Sequence, residues 1–157
     1  MMVDIHITIN DDIIDLHTLT DEEFAFYMDC LMKYKANIPH SEFLKLLQAP
    51  EVMKGNKITR ETVESNLFRA IQDLEHRLAV RQGIISGEIP QEEPAQKAEY
   101  VSAYKAAQMK NATVTGIVRA VREGRLAGHQ DKKRGHWKIP VRALQNYTPT
   151  RQNRKKK

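Results

Sequence analysis

The chain has 157 residues, of which 41% are hydrophobic, and a single cysteine. This length suits one ordinary domain or two small ones, and one cysteine excludes an internal disulfide and with it a disulfide-stabilised secreted scaffold. No apolar run approaches the roughly 20 residues of a membrane span, and the first ten residues, MMVDIHITIN, lack the apolar core of a signal peptide. We therefore expect a soluble cytoplasmic protein with no membrane partner.

The formal net charge of +5 hides a strong asymmetry along the chain. Residues 1–96 carry 9 basic and 17 acidic side chains, a net charge of −8, whereas residues 97–157 carry 16 basic and 3 acidic ones, a net charge of +13. A reversal of this size indicates two modules with different partners, the basic one contacting a polyanion. The alternative is a solvated basic surface that binds nothing.

The acidic half begins with a strand and a helix. Residues 3–9, VDIHITI, alternate apolar and polar side chains, which predicts a half-buried strand. Thr20 then has the position of a helix N-cap, with Glu23 placed to complete a capping box. Within that helix, Cys30 is expected to be a small buried hydrophobe. The predicted buried face comprises Phe24, Tyr27, Met28, Leu31 and Met32.

The longest helical pattern begins at Thr59 and extends to about Gln82, ahead of Gly83. Its apolar stripe comprises Val63, Leu67, Ala70, Ile71, Leu74 and Leu78. A stripe of about five turns is long for a module of this size, so the helix either packs against a second copy of the chain or is an ordinary core helix. The sequence leaves both alternatives open.

Residues 88–98 contain two prolines and three acids in the stretch EIPQEEPAQ and little to bury, which is typical of an exposed linker. The sequence thus predicts an N-terminal oligomerisation or partner-binding module at 1–87, a linker at 88–98, a DNA-binding domain at 99–147 and a flexible basic tail at 148–157. The expected fold class is mainly α with small β: an α+β helical module followed by a C-terminal winged helix-turn-helix.

Two short helices joined by a tight turn begin the basic half. Ser102 is the predicted N-cap of a helix over 103–109, residues 110–112 form the turn, and Thr113 caps a second helix over 114–123 that Gly124 terminates. A strand over 125–130, a basic turn over 131–135, a strand over 136–140 and a helix from 141 follow. This is the order of a helix-turn-helix with a basic hairpin, or wing.

Residues 101–144 also resemble the excisionase-like, MerR-like winged helix-turn-helix family. The matching stretches are Ala106-Ala107 in the first helix, residues 117–126 with the corner EGRL, and the returning strand GHWKIP at 135–140. The resemblance implies that helix 114–123 enters the DNA major groove, and that Thr115, Val118, Arg119 and Arg122 face the DNA.

A helical wheel divides this second helix into two faces. At about 100° per residue, Val114, Ile117, Ala120 and Val121 fall on the side predicted to be buried against the first helix, whereas Thr115, Val118, Arg119 and Arg122 point outward. Arginine can form two hydrogen bonds with guanine, threonine can donate or accept, and valine can contact a thymine methyl. The alternative is that the two arginines merely solubilise an exposed face.

Further basic and polar residues are predicted to contact the DNA backbone. Lys132, Lys133 and Arg134 at the wing tip would reach phosphates or the minor groove, unless they form an ordinary solvated turn. Trp137 is expected to pack in the core rather than to stack on a base, and the tail from residue 148 adds sequence-independent attraction to phosphates or simply confers solubility. The remaining predicted backbone or wing contacts are Thr113, Arg125, His136 and Lys138.

No pattern in the sequence indicates catalysis, a metal or a cofactor. The six histidines are scattered without metal-ligand spacing, Cys30 has no partner ligand, and there is no phosphate-binding loop or nucleophile elbow. Asp11, Asp12 and Asp15 cluster, but one group of carboxylates is usually a solvated loop. We expect a protein that is not an enzyme.

These observations together predict a sequence-specific double-stranded DNA-binding protein of bacterial, phage or plasmid type, associated with the nucleoid and acting as a transcriptional regulator. A DNA-binding domain this small is expected to act as a homodimer or higher homo-oligomer joined through the N-terminal module. Two alternatives stay open. One is an excisionase-like or plasmid-maintenance architectural factor, and the other is an adaptor whose acidic half binds a protein partner while the basic half binds nucleic acid without specificity.

Overall fold

The computed structural model describes residues 3–53, 59–131 and 135–149. Over these residues the protein is mostly helical with small antiparallel sheets, which confirms a mainly α fold with small β. The helices are α1 Asp21–Lys35, α2 His40–Leu44, α3 Pro50–Met53, α4 Arg60–Glu64, α5 Asn66–Arg81, α6 Ala103–Lys110, α7 Val114–Arg122 and α8 Val141–Gln145. The strands are β1 Ile5–Ile7, β2 Ile13–Asp15, β3 Ala95–Gln96, β4 Tyr100–Val101, β5 His129–Gln130 and β6 Trp137–Pro140.

The chain divides into two compact units. The N-terminal unit is His6–Ala95, and the C-terminal unit combines Met1–Ile5 with Gln96–Lys157. The strands form two three-stranded sheets, in the orders β2-β1-β3 and β4-β6-β5. The predicted wing tip, Lys132–Arg134, and the tail from residue 150 lie outside the described residues.

Helix α1 begins where the sequence predicts. The Thr20 hydroxyl accepts a hydrogen bond from the Glu23 amide at 3.1 Å, and the Glu23 carboxylate accepts one from the Thr20 amide at 2.9 Å, so the capping box is complete. Cys30 is buried as predicted, and burial raises the pKa of its thiol to about 12.

The predicted buried face of α1 is partly wrong. Its fully buried side chains are Tyr27, Cys30, Leu31 and Tyr34, whereas Met32 is 63% exposed. The predicted and the observed buried faces have Tyr27 and Leu31 in common, and the residues of each face are three or four positions apart, as on one side of a helix. The Arg81 guanidinium of α5 stacks 4.2 Å from the centre of the Tyr34 ring, a contact between distant parts of the chain that hydrophobicity alone does not indicate.

The helix predicted over 59–82 is interrupted. Ser65 adopts an extended conformation, φ −68° and ψ 149°, and its hydroxyl accepts a hydrogen bond from the Phe68 amide, so it ends α4 and caps α5. Within α5 the predicted stripe is buried from Leu67 to Leu78, but Val63 on α4 is exposed. The chain's own core therefore covers the α5 stripe, which is the ordinary core-helix alternative.

The N-terminal strand is more deeply buried than its alternating pattern predicts. All three residues of β1 are buried, including His6, and β2 is an additional strand. Asp15, expected in a solvated loop, is 1% exposed, and its carboxylate accepts a hydrogen bond from the His17 amide. That expectation was wrong for Asp15 because its carboxylate caps the short 3₁₀ turn after β2.

The segment predicted as a linker combines exposed and paired residues. Glu88 is exposed, as are residues 90–93, but Pro94 is buried and its carbonyl accepts a hydrogen bond from the Ile7 amide at 2.7 Å. Strand β3 follows at once. The end of the predicted linker is therefore held by backbone hydrogen bonds to β1, although the linker has almost no apolar side chains to bury.

Candidate nucleic-acid interface

Helices α6 and α7 are built by local capping, as the sequence predicts. The hydroxyls of Ser102 and Thr113 accept hydrogen bonds from the backbone amides three residues ahead, at 3.1 and 2.9 Å. Between the helices, Asn111 adopts the left-handed conformation, φ 53° and ψ 48°, which reverses the chain within three residues. Gly124, at φ 80°, follows the end of α7.

The two helices pack through small and branched side chains. Their fully buried residues are Ala106 on α6 and Ile117 and Ala120 on α7. Val121 is half-buried, and Val114, predicted to be buried, is 42% exposed. The prediction for Val114 was wrong because the buried residues of α7, Ile117 and Ala120, lie further along the helix, and its first residue is exposed.

The four predicted base-contacting residues share the outer side of α7. Thr115, Arg119 and Arg122 are exposed and Val118 is half-buried. Together with Val114 and Glu123 they line a surface depression of about 460 Å³. The structure therefore brings the predicted residues together on one open face, where they are accessible to a large ligand.

The two arginines of this face differ in their surroundings. Within the described part of the chain, neither guanidinium forms a hydrogen bond or ion pair with a protein group. The Arg122 guanidinium carbon lies 5.5 Å from the centre of the Trp137 ring on β6, a cation–π contact. Trp137 is half-buried rather than fully in the core, and it joins the hairpin to the exposed face of α7.

Strands β5 and β6 form an antiparallel hairpin, but β5 comprises only His129–Gln130, so residues 125–128 of the strand predicted over 125–130 are not in a strand. His129 pairs with Lys138 and Gln130 with Trp137, while β4 pairs with the other edge of β6. The Gln130 side-chain amide donates a hydrogen bond to the Gly135 carbonyl at 2.9 Å across the turn. The charges predicted at the hairpin tip fall on residues that the structure does not describe.

A close backbone approach joins this hairpin to α7. A Cβ atom added to Gly128, just before β5, would lie 3.1 Å from the Lys138 carbonyl oxygen, 3.2 Å from Ile139 Cγ1 and 3.3 Å from Val121 Cγ1. These distances are shorter than ordinary van der Waals contacts, so only a glycine fits here without displacement.

The other predicted backbone contacts are surface groups, some of them already engaged. Arg125 binds the Glu123 carboxylate, with its Nη2 atom at 2.7 Å, and Lys138 Nζ lies 3.3 Å from Asp131 Oδ1. His136 is exposed, and the Thr113 hydroxyl is the α7 cap. Exposed ion pairs contribute only about 0–1 kcal/mol, so a phosphate can replace the carboxylate at little cost.

A second polar cluster, in the N-terminal unit, was not predicted. His6, Tyr27, Asp73 and Arg77 are all buried and connected by hydrogen bonds. His6 Nδ1 lies 2.7 Å from the Tyr27 hydroxyl, and His6 Nε2 lies 2.7 Å from Asp73 Oδ2. Arg77 donates to Asp73 Oδ2 at 2.8 Å and to the Ile7 carbonyl at 2.7 Å, while the Ile9 amide donates to Asp73 Oδ1 at 2.8 Å.

Burial determines the ionisation states in this cluster. Burial lowers the pKa of His6, against the opposing hydrogen bond and charge of Asp73, so the ring is neutral at pH 7. A neutral ring satisfies both contacts if Nε2–H donates to Asp73 and Nδ1 accepts from Tyr27. Burial alone would raise the pKa of Asp73, but the hydrogen bonds from His6, Ile9 and Arg77 hold it below its usual value.

The cluster connects β1, α1 and α5 in the core of the N-terminal unit. His6, Tyr27 and Arg77 are at most 1% exposed, whereas Asp73 also borders a surface depression of about 290 Å³. The Arg77 Nη1 atom is buried and has no hydrogen-bond partner among the described residues. The four-residue spacing of Asp73 and Arg77 within the apolar pattern of α5 was the only sequence signal for it. The described residues contain no group of three or more His, Cys, Asp or Glu placed to hold a metal ion.

In the parts of the chain that the structure describes, no helix is both long enough and apolar enough to cross a bilayer. Comparisons with known proteins found no family model that matches this chain, and no curated protein or solved structure that matches it. The arrangement of α6, α7 and the β5–β6 hairpin is therefore the basis on which a function can be argued.

Proposed function

We propose that the protein is a non-enzymatic, sequence-specific double-stranded DNA-binding protein, and that α6, α7 and the β5–β6 hairpin act as a winged helix-turn-helix. One observation carries the proposal. The outer face of α7 presents Thr115, Val118, Arg119 and Arg122 together, and both arginines lack ionic partners among the described residues. A face that only needed to be soluble would not require two unpaired guanidinium groups beside a branched apolar side chain.

The dimensions of α7 support entry into the major groove. Its nine residues span about 14 Å along the helix axis, and a major groove about 12 Å wide admits one α-helix, whose diameter with side chains is about 10–12 Å. Ile117 and Ala120 of α7 are buried, whereas the face that carries Thr115 and Arg119 is exposed and free to meet base edges. Arginine, threonine and valine are side chains that distinguish bases there.

The charge of the same part of the chain supports contact with phosphates. Residues 97–157 carry a net charge of +13, which attracts a polyanion without regard to sequence. In this proposal Arg125 and Lys138 leave their exposed ion pairs with Glu123 and Asp131 and bind DNA phosphates instead, and His136 is exposed and available for a further contact. In this scheme the hairpin and its neighbours fix the position of the protein, and α7 provides the specificity.

The proposal includes two or more copies of the chain on one DNA site. One nine-residue helix reaches only a few base pairs, and specific complexes usually bury more protein surface than one such module provides. Association is assigned to the acidic residues 1–96, whose net charge of −8 disfavours contact with DNA. Transcriptional regulation and an architectural role in recombination or plasmid maintenance use the same contacts.

Selection from a random duplex pool, followed by fluorescence anisotropy on the selected and scrambled duplexes, tests the proposal. Arg119→Gln is expected to cost about 1–3 kcal/mol on the selected duplex and little on the scrambled one. Arg60→Gln, which removes an exposed arginine from α4, is the matched control. Equal losses on both duplexes would instead favour an adaptor that binds nucleic acid without specificity.

A further inference from the structure

We propose that α7 recognises a guanine through Arg119 and the C5-methyl group of a neighbouring thymine through Val114 and Val118. This inference rests on the proposed DNA binding and assigns base classes to its central face. It follows from which side chains of α7 are accessible and which are already in contact with other groups.

The apolar part of the site comprises two valines one helical turn apart. Val114 is 42% exposed at the first residue of α7, and Val118 is half-buried four residues later, so both lie on one side of the helix. Both line the same depression as Thr115 and Arg119. The thymine C5-methyl is the apolar group that a standard base pair presents in the major groove. Contact between this methyl group and the two valines would remove all three apolar groups from water.

The polar part of the site is Arg119 rather than Arg122. The Arg122 guanidinium stacks on the Trp137 ring, near the C-terminal end of α7. Arg119 is exposed, and its guanidinium has no hydrogen bond, ion pair or ring contact with the described residues. Its two-pronged donor group is therefore available for the O6 and N7 acceptors of guanine.

Helix geometry limits the distance between the two bases. Val118 and Arg119 are successive residues, about 100° apart and 1.5 Å apart along the axis, and Val114 lies about 6 Å before Val118. Base pairs are spaced about 3.4 Å along the duplex. The guanine and the thymine are therefore expected within about two base steps of each other, on the same or on opposite strands.

The experiment uses the full chain and the duplex obtained by selection. Each thymine is replaced in turn by deoxyuridine, which lacks only the methyl, and each guanine by 7-deazaguanine, which lacks the N7 acceptor. One deoxyuridine is expected to weaken binding about fourfold, the effect of one buried carbon group. One 7-deazaguanine within two base steps is expected to weaken it about tenfold, the effect of a charged hydrogen bond.

Variants assign each effect to a side chain. Replacing both Val114 and Val118 by alanine should abolish the deoxyuridine effect and keep the 7-deazaguanine effect, and Arg119→Gln should do the reverse. Lys105→Gln, at an exposed position on α6, should keep both. Val114→Ala alone provides a second test of the methyl contact if thermal unfolding shows that the double replacement alters the fold.

The outcomes separate the inference from the function on which it rests. If a sequence is selected but all its deoxyuridine and 7-deazaguanine forms bind as tightly as the parent, the assignment of bases is wrong and DNA recognition stands. The same holds if an effect persists in the variant that should abolish it. If no sequence is enriched, the proposed function is wrong, and the base assignment is overturned with it.

Discussion

The buried carboxylate of Asp73 is expected to be among the most important single polar groups for the stability of the N-terminal unit. Its two oxygens accept three hydrogen bonds, from His6 at 2.7 Å and from Ile9 and Arg77 at 2.8 Å. Arg77 is 1% exposed, so Asp73→Ala leaves a guanidinium in the core without its counter-charge. Removing one partner of a buried ion pair costs about 3–5 kcal/mol, and we expect a loss of that size in the free energy of unfolding.

The chain contains a matched control for this prediction. Asp29 and Lys33 on α1 have the same four-residue spacing as Asp73 and Arg77, but their side chains are 55% and 42% exposed. Asp29→Ala is therefore expected to cost less than about 0.5 kcal/mol. Asp73→Asn should fall between the two, because an amide keeps one acceptor oxygen but loses the charge that faces Arg77.

Urea unfolding followed by far-ultraviolet circular dichroism measures all three variants against the parent chain. The reasoning is refuted if Asp73→Ala loses less than about 1 kcal/mol, or no more than Asp29→Ala. Such a result would mean that water reaches Arg77 readily after the substitution, and that the enclosure of the cluster is not what makes Asp73 important.

Three further predictions concern single residues. Because the folded pKa of His6 lies below its ordinary 6.5, the unfolded chain binds the extra proton first as the pH falls; stability should drop below about pH 6.5 by up to about 1.4 kcal/mol per pH unit, and His6→Gln should remove this component from pH-dependent unfolding curves. Gly128→Ala should destabilise the C-terminal unit by about 1–3 kcal/mol, since its Cβ would press on β6 and α7; an unchanged melting temperature would contradict the close approach. Ser65→Ala should cost about 1 kcal/mol by removing the α5 cap, whereas Ser65→Asp should retain most of the stability in the same thermal scan.

The parts of the fold that the sequence predicts are those determined locally. The caps at Thr20, Ser102 and Thr113 need only a hydroxyl and an amide three residues apart, and the structure has all three. The end of α7 near Gly124 is equally local, because a glycine accepts the left-handed conformation that stops a helix.

The predictions from sequence are wrong where contacts between residues far apart in the chain determine burial or backbone conformation. His6 alternates with apolar neighbours and resembles the outer face of a strand, but Asp73, 67 residues away, accepts its hydrogen bond and allows its burial. Val114 lies on the apolar side of a helical wheel, yet a wheel cannot show where the neighbouring helix stops. A serine such as Ser65 can lie within a helix or cap one. The sequence does not distinguish these, and in the structure its extended backbone makes it the cap of α5.

The contact between Arg122 and Trp137 also supplies a natural spectroscopic reporter. Trp137 is the only tryptophan in the sequence, so its indole emission arises from the C-terminal unit alone. A guanidinium 5.5 Å above the ring is a nearby charge that influences the emission wavelength. A duplex that draws Arg122 toward a phosphate or a base would remove that charge from the indole. DNA binding by the unlabelled protein could then be followed through the emission wavelength and intensity of Trp137 fluorescence.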